Sequence, residues 1–160
     1  MSVFRLSNNR EELEANIKKY IAISEDGAEL YRRFKLRFRD ADYDAGWVEY
    51  VHTCDYFEKN RYGNMHGGVI TAILDTAMGL TVFELGTGNA SPTMDIQVNF
   101  IKGAHIGDEL VVRAEVLSTG KHNAVMRAQM KRGEDLIAIA TANYRIYTSS
   151  VPGSLPFIKK

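Results

Sequence analysis

Between Gly67 and Leu85 the chain is almost wholly apolar, yet one carboxylate, Asp75, stands near the middle of the run and Glu84 near its end. The stretch from Val69 to Leu85 is shorter than the roughly 20 residues a membrane span requires. A carboxylate at the bilayer centre would also cost a few kcal/mol or more. The segment therefore reads as a helix inside the protein, opened by Gly67-Gly68 and ended by Gly86 and Gly88. A helix that is apolar on every side must be surrounded.

The rest of the chain supplies a wrapping. Four runs alternate with period 2: Thr93 to Phe100, Leu110 to Val116, Ala124 to Lys131 and Ile137 to Tyr144. Their short separations at 103–108, 118–123 and 132–135 suggest an antiparallel meander. Met94, Ile96, Val98 and Phe100 form one inward row, and Ala138, Ala140, Ala142 and Tyr144 another. The many inward alanines leave room for a bulky body lying close against the sheet. An α+β fold follows, with one long helix wrapped by a curved antiparallel sheet.

Ahead of this core, residues 10–23 read as a helix capped by Asn9, with Glu12 in capping-box position. Phe34, Leu36 and Phe38 alternate with arginines and a lysine, and with Trp47 to Thr53 they suggest a hairpin turned at Asp44-Ala45-Gly46. At period 2 those arginines fit the solvated face of a strand rather than a nucleic-acid stripe. A long polar loop follows, from Cys54 to Met65. The 160 residues suit a single domain, with a core at about 30–148 and an extension at 149–160.

Charge and cysteine content narrow the function classes. Twenty Lys+Arg against twenty Asp+Glu leave no global field to hold nucleic acid or an anionic membrane, and a neutral surface suits self-association. The lone Cys54 excludes an internal disulfide or a cysteine-rich zinc site. It fits a reducing, cytoplasmic setting, and Met1–Arg5 lacks the pattern of a secretory leader. His52, His66, His105 and His122 fall at no metal-ligand spacing, so no metal or other cofactor is expected.

What remains for chemistry is Asn60, His66-Gly67-Gly68 and Asp75. The first N–H groups of a helix lack intrahelical partners and sit at its positive end. Glycine there admits a ligand oxygen close to the backbone, as an oxyanion site requires. Asp75, in an apolar run, suits a general base. Taken singly, each residue has an ordinary reading: a satisfied loop histidine, an asparagine in a turn, a buried structural carboxylate. Together they meet a distance problem, because eight residues of helix separate Gly67 from Asp75 by about 12 Å. Both groups can act on one carbonyl only if two antiparallel copies of the helix lie about a two-fold axis. Gly67 of one chain then faces Asp75 of the other, in an obligate homodimer with shared sites.

These residues, in this order, resemble the hotdog-fold acyl-CoA thioesterases, in particular the phenylacetate-degradation (PaaI-type) branch: an Asn, then His-Gly-Gly, then an Asp on the central helix, then strands. The resemblance spans about residues 30–148. It implies a hotdog fold, dimers with joined sheets and often tetramers built as dimers of dimers. It also implies an acyl-CoA substrate cleaved to a carboxylic acid and free CoA. By the same resemblance, the Gly67 N–H would polarise the thioester carbonyl and the partner chain's Asp75 would activate water or attack as nucleophile. Asn60 and His66 would orient the thioester or the water. Thr93 would contact the water, and Gly68, Lys121 and His122 would meet the CoA. An acyl-CoA binding module without catalysis, or a hydratase or dehydratase of the same fold, stands as the alternative.

Overall fold

The computed structural model describes residues 10–13, 15–16, 29–84 and 91–147. Residues 10–13 and 15–16 are helical, as expected, and Leu13 is buried in the core. The rest of the helix expected over 10–23, the glycines expected to end the central helix, and the extension at 149–160 lie outside the described residues.

The first complete element is α1, Glu29–Phe34, followed by β1, Arg37–Asp42, and β2, Trp47–Thr53. A short 3-10 turn at Tyr56–Glu58 leads to α2, Gly67–Glu84. Four strands complete the chain: β3, Thr93–Phe100; β4, Glu109–Thr119; β5, Asn123–Arg132; and β6, Asp135–Arg145. All six strands join one sheet in the order β1-β2-β4-β5-β6-β3, every pair antiparallel.

The expected α+β hotdog architecture is present, and its packing explains the alanines. Ala114, Ala124, Ala128, Ala138, Ala140 and Ala142 are buried on the inner face, with Ile70, Ile73, Leu74, Ala77 and Met78 of α2 in the same core. Full burial of each of the large side chains contributes about 1.5–3 kcal/mol.

Three local expectations need correction. Phe34 does not open a strand. It closes α1 and is buried, and Lys35 beyond it turns left-handed at φ +47° before β1 starts at Arg37. The left-handed residue ends the helix, so the Phe34, Leu36, Phe38 alternation spans two elements. The four later strands are not a simple meander either. Only β4, β5 and β6 run consecutively, and β3 pairs with β6 at the sheet's far edge. The segment 101–108 crosses back, held where Ala104 accepts the Met65 N–H and His105 bridges Asn64.

The third correction concerns burial. The sheet covers only one side of α2. Gly68 is exposed, and Thr71, Ala72, Asp75 and Gly79 are only part-buried. On β3, Met94 and Phe100 are not interior but 61% and 55% exposed. Among the described residues, nothing covers this edge strand or the helix face beside it.

The arginines of β1 behave as a solvated face. Arg39 and Arg113 both approach Glu49, and Arg37 approaches Glu109. The loop over 54–65 is ordered by a capping box at Asp55 and Glu58 and by the Lys59–Met65 bridge.

Candidate active site

The chain arrives at α2 through a tight turn built on Asn60. Its Oδ1 accepts the N–H groups of Tyr62 at 2.8 Å and Asn64 at 3.2 Å, and its carbonyl accepts that of Gly63. The side-chain oxygen is thus committed to the turn, and the amide nitrogen is what Asn60 has left to donate.

His66 then caps the helix. Its carbonyl accepts the Val69 and Ile70 N–H groups, and its Nδ1 accepts the Gly68 N–H at 2.9 Å. An imidazole that accepts at Nδ1 carries its proton on Nε2, so the exposed His66 ring offers an N–H outward. With Gly68 engaged, Gly67 holds the free amide: among the described residues its N–H meets no acceptor. The Phe100 ring lies over it, 3.3 Å from where a Cβ at position 67 would stand, so only glycine fits without moving that ring.

Two turns along α2, Asp75 is held by neighbours from two strands. Thr93 Oγ1 and the Tyr144 hydroxyl each lie 2.7 Å from Asp75 Oδ1, and the Tyr144 hydroxyl lies 2.8 Å from the Asp75 carbonyl. Oδ2 has no partner among the described residues. The carboxylate is therefore fixed through one oxygen and open at the other. Burial, and after it the hydrogen bond to Asp75, push the Tyr144 hydroxyl well above the ordinary tyrosine range. Burial, then the Asp75 charge, also raise the Tyr31 hydroxyl on α1.

Sequence reasoning missed Tyr144 and Tyr31. Tyr144 left a signal, as the one large side chain ending an inward row of alanines. Tyr31, on the six-residue α1, left none.

The expected site residues fall into two groups at opposite ends of β3. Gly67 packs against Phe100 at one end, with Asn60 and His66 beside it. Asp75 meets Thr93 at the other end. Lys121 and His122, exposed in the β4–β5 turn, lie at this second end: His122 accepts the Ile146 N–H, next to the bond from Arg145 to the Pro92 carbonyl.

Cys54 is buried, and burial together with the neighbouring Glu58 charge pushes its thiol up to about 12, so it is no nucleophile near neutral pH. Among the described residues no group of three or more His, Cys, Asp or Glu side chains could hold a metal. No helix among them is long and apolar enough to cross a membrane.

Comparison with known proteins bears on this arrangement. The thioesterase superfamily model matches residues 62–139, which include His66-Gly67-Gly68, Asp75 and Thr93. Mouse acyl-coenzyme A thioesterase 13 is 28% identical over 74 residues, 46% of this chain and 49% of that protein. The chain spans about half the length of the curated relatives it matches. The Escherichia coli PaaI protein, from the phenylacetic acid degradation operon, superposes with a TM-score of 0.75 at 18% identity, covering 87% of this chain and 98% of that one. A Streptococcus pneumoniae thioesterase solved with coenzyme A gives 0.65 at 23% identity, over 73% and 92%. The thioesterase superfamily model thus covers just under half of the chain, and the motif on α2 and the sheet that wraps it agree with that superfamily in sequence and in fold.

Proposed function

We propose that this protein hydrolyses acyl-CoA thioesters to a carboxylic acid and free CoA, acting as a homodimer with two shared sites. The observation that carries the reading is the division of the site along β3. A fixed carboxylate lies at one end and a free helix N-terminal amide at the other. Antiparallel pairing of β3 with its own copy, centred between Ile96 and Gln97, sets the Thr93 end of one chain against the Phe100 end of the other. It also covers Met94, Phe100 and the open face of α2.

In such a dimer the thioester carbonyl accepts the Gly67 N–H, at the positive end of α2. The Asn60 amide and the His66 Nε2–H stand beside it as further donors. From the second chain, Asp75 Oδ2 takes a proton from water, which adds to the carbonyl carbon. Thr93 and Tyr144 keep Oδ1 in place during this step. Collapse of the tetrahedral intermediate breaks the carbon–sulfur bond and releases the CoA thiolate, whose protonation completes the reaction. Attack by Asp75 itself, through an anhydride that water opens at the Asp75 carboxyl carbon, is the other course, and single turnover in 18O-water separates them: label on first-turnover product means a general base, label on Asp75 a nucleophile.

Support for the substrate comes from relatives named for acyl-CoA and from similar folds solved with coenzyme A or acetyl-CoA. With no net charge on the chain, local basic groups such as Lys121 and His122 must meet the CoA phosphates. A tetramer of two such dimers keeps the same sites, and the lone buried Cys54 suits a reducing, cytoplasmic setting.

The test is thiol release across aromatic, short- and medium-chain acyl-CoAs, with Asp75→Asn as control. Release by the wild type and its loss in the variant are expected. Binding without release from any member would replace hydrolysis with acyl-CoA binding.

A further inference from the structure

Behind the helix N-terminus lies a buried pair that the hydrolytic reading does not use. His52 on β2 and Glu58 in the 3-10 turn are 1% and 0% exposed. His52 Nδ1 lies 2.6 Å from the Phe34 carbonyl, which can only accept, so Nδ1 carries a proton. His52 Nε2 lies 2.9 Å from Glu58 Oε2. One proton is shared across that contact, as imidazolium with carboxylate or as imidazole with carboxylic acid, and the pair is neutral in either form. Burying two ionisable groups is costly unless each is tied to a partner, so a pair kept here fixes geometry.

The connections on either side give the geometry its meaning. Glu58 Oε2 also accepts the Asp55 N–H, which holds the 3-10 turn. The Glu58 carbonyl accepts the His66 N–H at 2.7 Å. His66 in turn caps α2 and holds the Gly68 amide, leaving that of Gly67 free. On the other side, the Phe34 carbonyl ends α1, one turn beyond Tyr31. His52 thus ties the end of α1 to the turn that sets His66 and Gly67. No other pair of buried ionisable side chains joins two elements in this way among the described residues.

We propose that His52 and Glu58 are positioning residues, which hold the His66–Gly67 corner so that the Gly67 N–H meets the substrate carbonyl. The proposal rests on the hydrolytic reading for its consequence, but the positioning itself is measurable without substrate. Glu58→Ala breaks the tie. Glu58→Gln keeps the tie to His52 as a neutral hydrogen bond, the amide nitrogen donating to His52 Nε2, and gives up only the Asp55 N–H, which shares Oε2 with His52. His52→Gln can reach only one of the two partners and falls between them.

Two measurements are made on the dimeric full-length protein. In amide hydrogen exchange, the segment 66–70 should exchange faster in Glu58→Ala and His52→Gln than in wild type and Glu58→Gln, with β5 and β6 unchanged. In thiol release, kcat of Glu58→Ala should fall about 10- to 100-fold, as expected for a misplaced donor, with KM within about twofold. Glu58→Gln should restore most of it. If Glu58→Ala does not fold, His52→Gln against Glu58→Gln carries the same comparison. Unchanged exchange at 66–70 in the folded disruptive variants would overturn the proposal, as would a KM effect without a kcat effect. If the wild type releases no thiol from any acyl-CoA, the hydrolytic reading fails while the exchange comparison still decides the positioning.

Discussion

At one edge of the sheet, β1 places Arg37, Arg39, Asp40 and Asp42 among its six residues and shifts register between Phe38 and Asp40. At the other, β3 runs eight residues with a register shift at its start, between Thr93 and Asp95, and one charge, Asp95, whose carboxylate is held by the Asn143 side chain on β6. Highly charged, short edges resist the addition of another strand, whereas longer edges with few charges invite it. Both edges expose a large side chain, Phe38 on β1 and Met94 and Phe100 on β3. Only β3 lies beside an uncovered helix face and carries half-sites at its two ends. The proposed second copy therefore adds at β3 and not at β1.

The largest effect should come from making the second edge resemble the first. Met94→Lys with Gln97→Lys places like charges near the two-fold axis, where each strand meets its own copy. The expected outcome is a folded monomer by sedimentation, with thiol release lowered about ten-thousandfold or more, since base and oxyanion donor are parted. Phe38→Lys on β1 should leave both assembly and activity unchanged. A fully active monomer would break the comparison.

Next in size, Asp75→Asn should keep the dimer and lower kcat about a thousandfold. Tyr144→Phe removes one of the two hydroxyls on Oδ1 and should lower kcat about tenfold, and Thr93→Ala somewhat less, for a hydrogen bond of about 1 kcal/mol. Tyr144→Phe has a second consequence. The raised Tyr144 hydroxyl stays protonated in the fold while an unfolded tyrosine ionises above its ordinary value of 10.0. Its contribution to stability is complete below pH 10 and declines as pH rises beyond it. Unfolding curves of wild type and Tyr144→Phe should therefore converge in slope below pH 10 and part above it. The smallest effect should be Lys121→Ala, raising KM a few-fold as one screened contact to a CoA phosphate is lost.

Much of this was legible in the residues. Period-2 runs with inward alanines, beside an all-apolar segment, defined sheet and helix. The spacing of Gly67 and Asp75 asks for two chains if both act on one carbonyl, and the structure leaves them at opposite ends of β3. Strand order was not legible, because β3 carries the same alternation as its neighbours and alternation does not say which strand lies beside it. The exposure of Met94 and Phe100 was hidden for a related reason: alternation marks the two faces of a strand without saying whether anything covers them. Phe34 misled because a left-handed Lys35 splits an apparent alternation between helix and strand. His52 and Glu58 read as ordinary loop and strand residues, since their meaning lies in contacts to Phe34 and His66.

The central claim is that each site draws Gly67 from one chain and Asp75 from the other, and subunit mixing tests it most directly. Asp75→Asn removes the base, and Gly67→Val crowds the free amide against Phe100, so each homodimer should be nearly inactive. Unfolded together in equal amounts and refolded, half of the dimers should be mixed, and each mixed dimer holds one intact site and one doubly damaged site. Recovery of about a quarter of wild-type thiol release is the predicted result. Verified mixed dimers with no more activity than the parents would contradict the account.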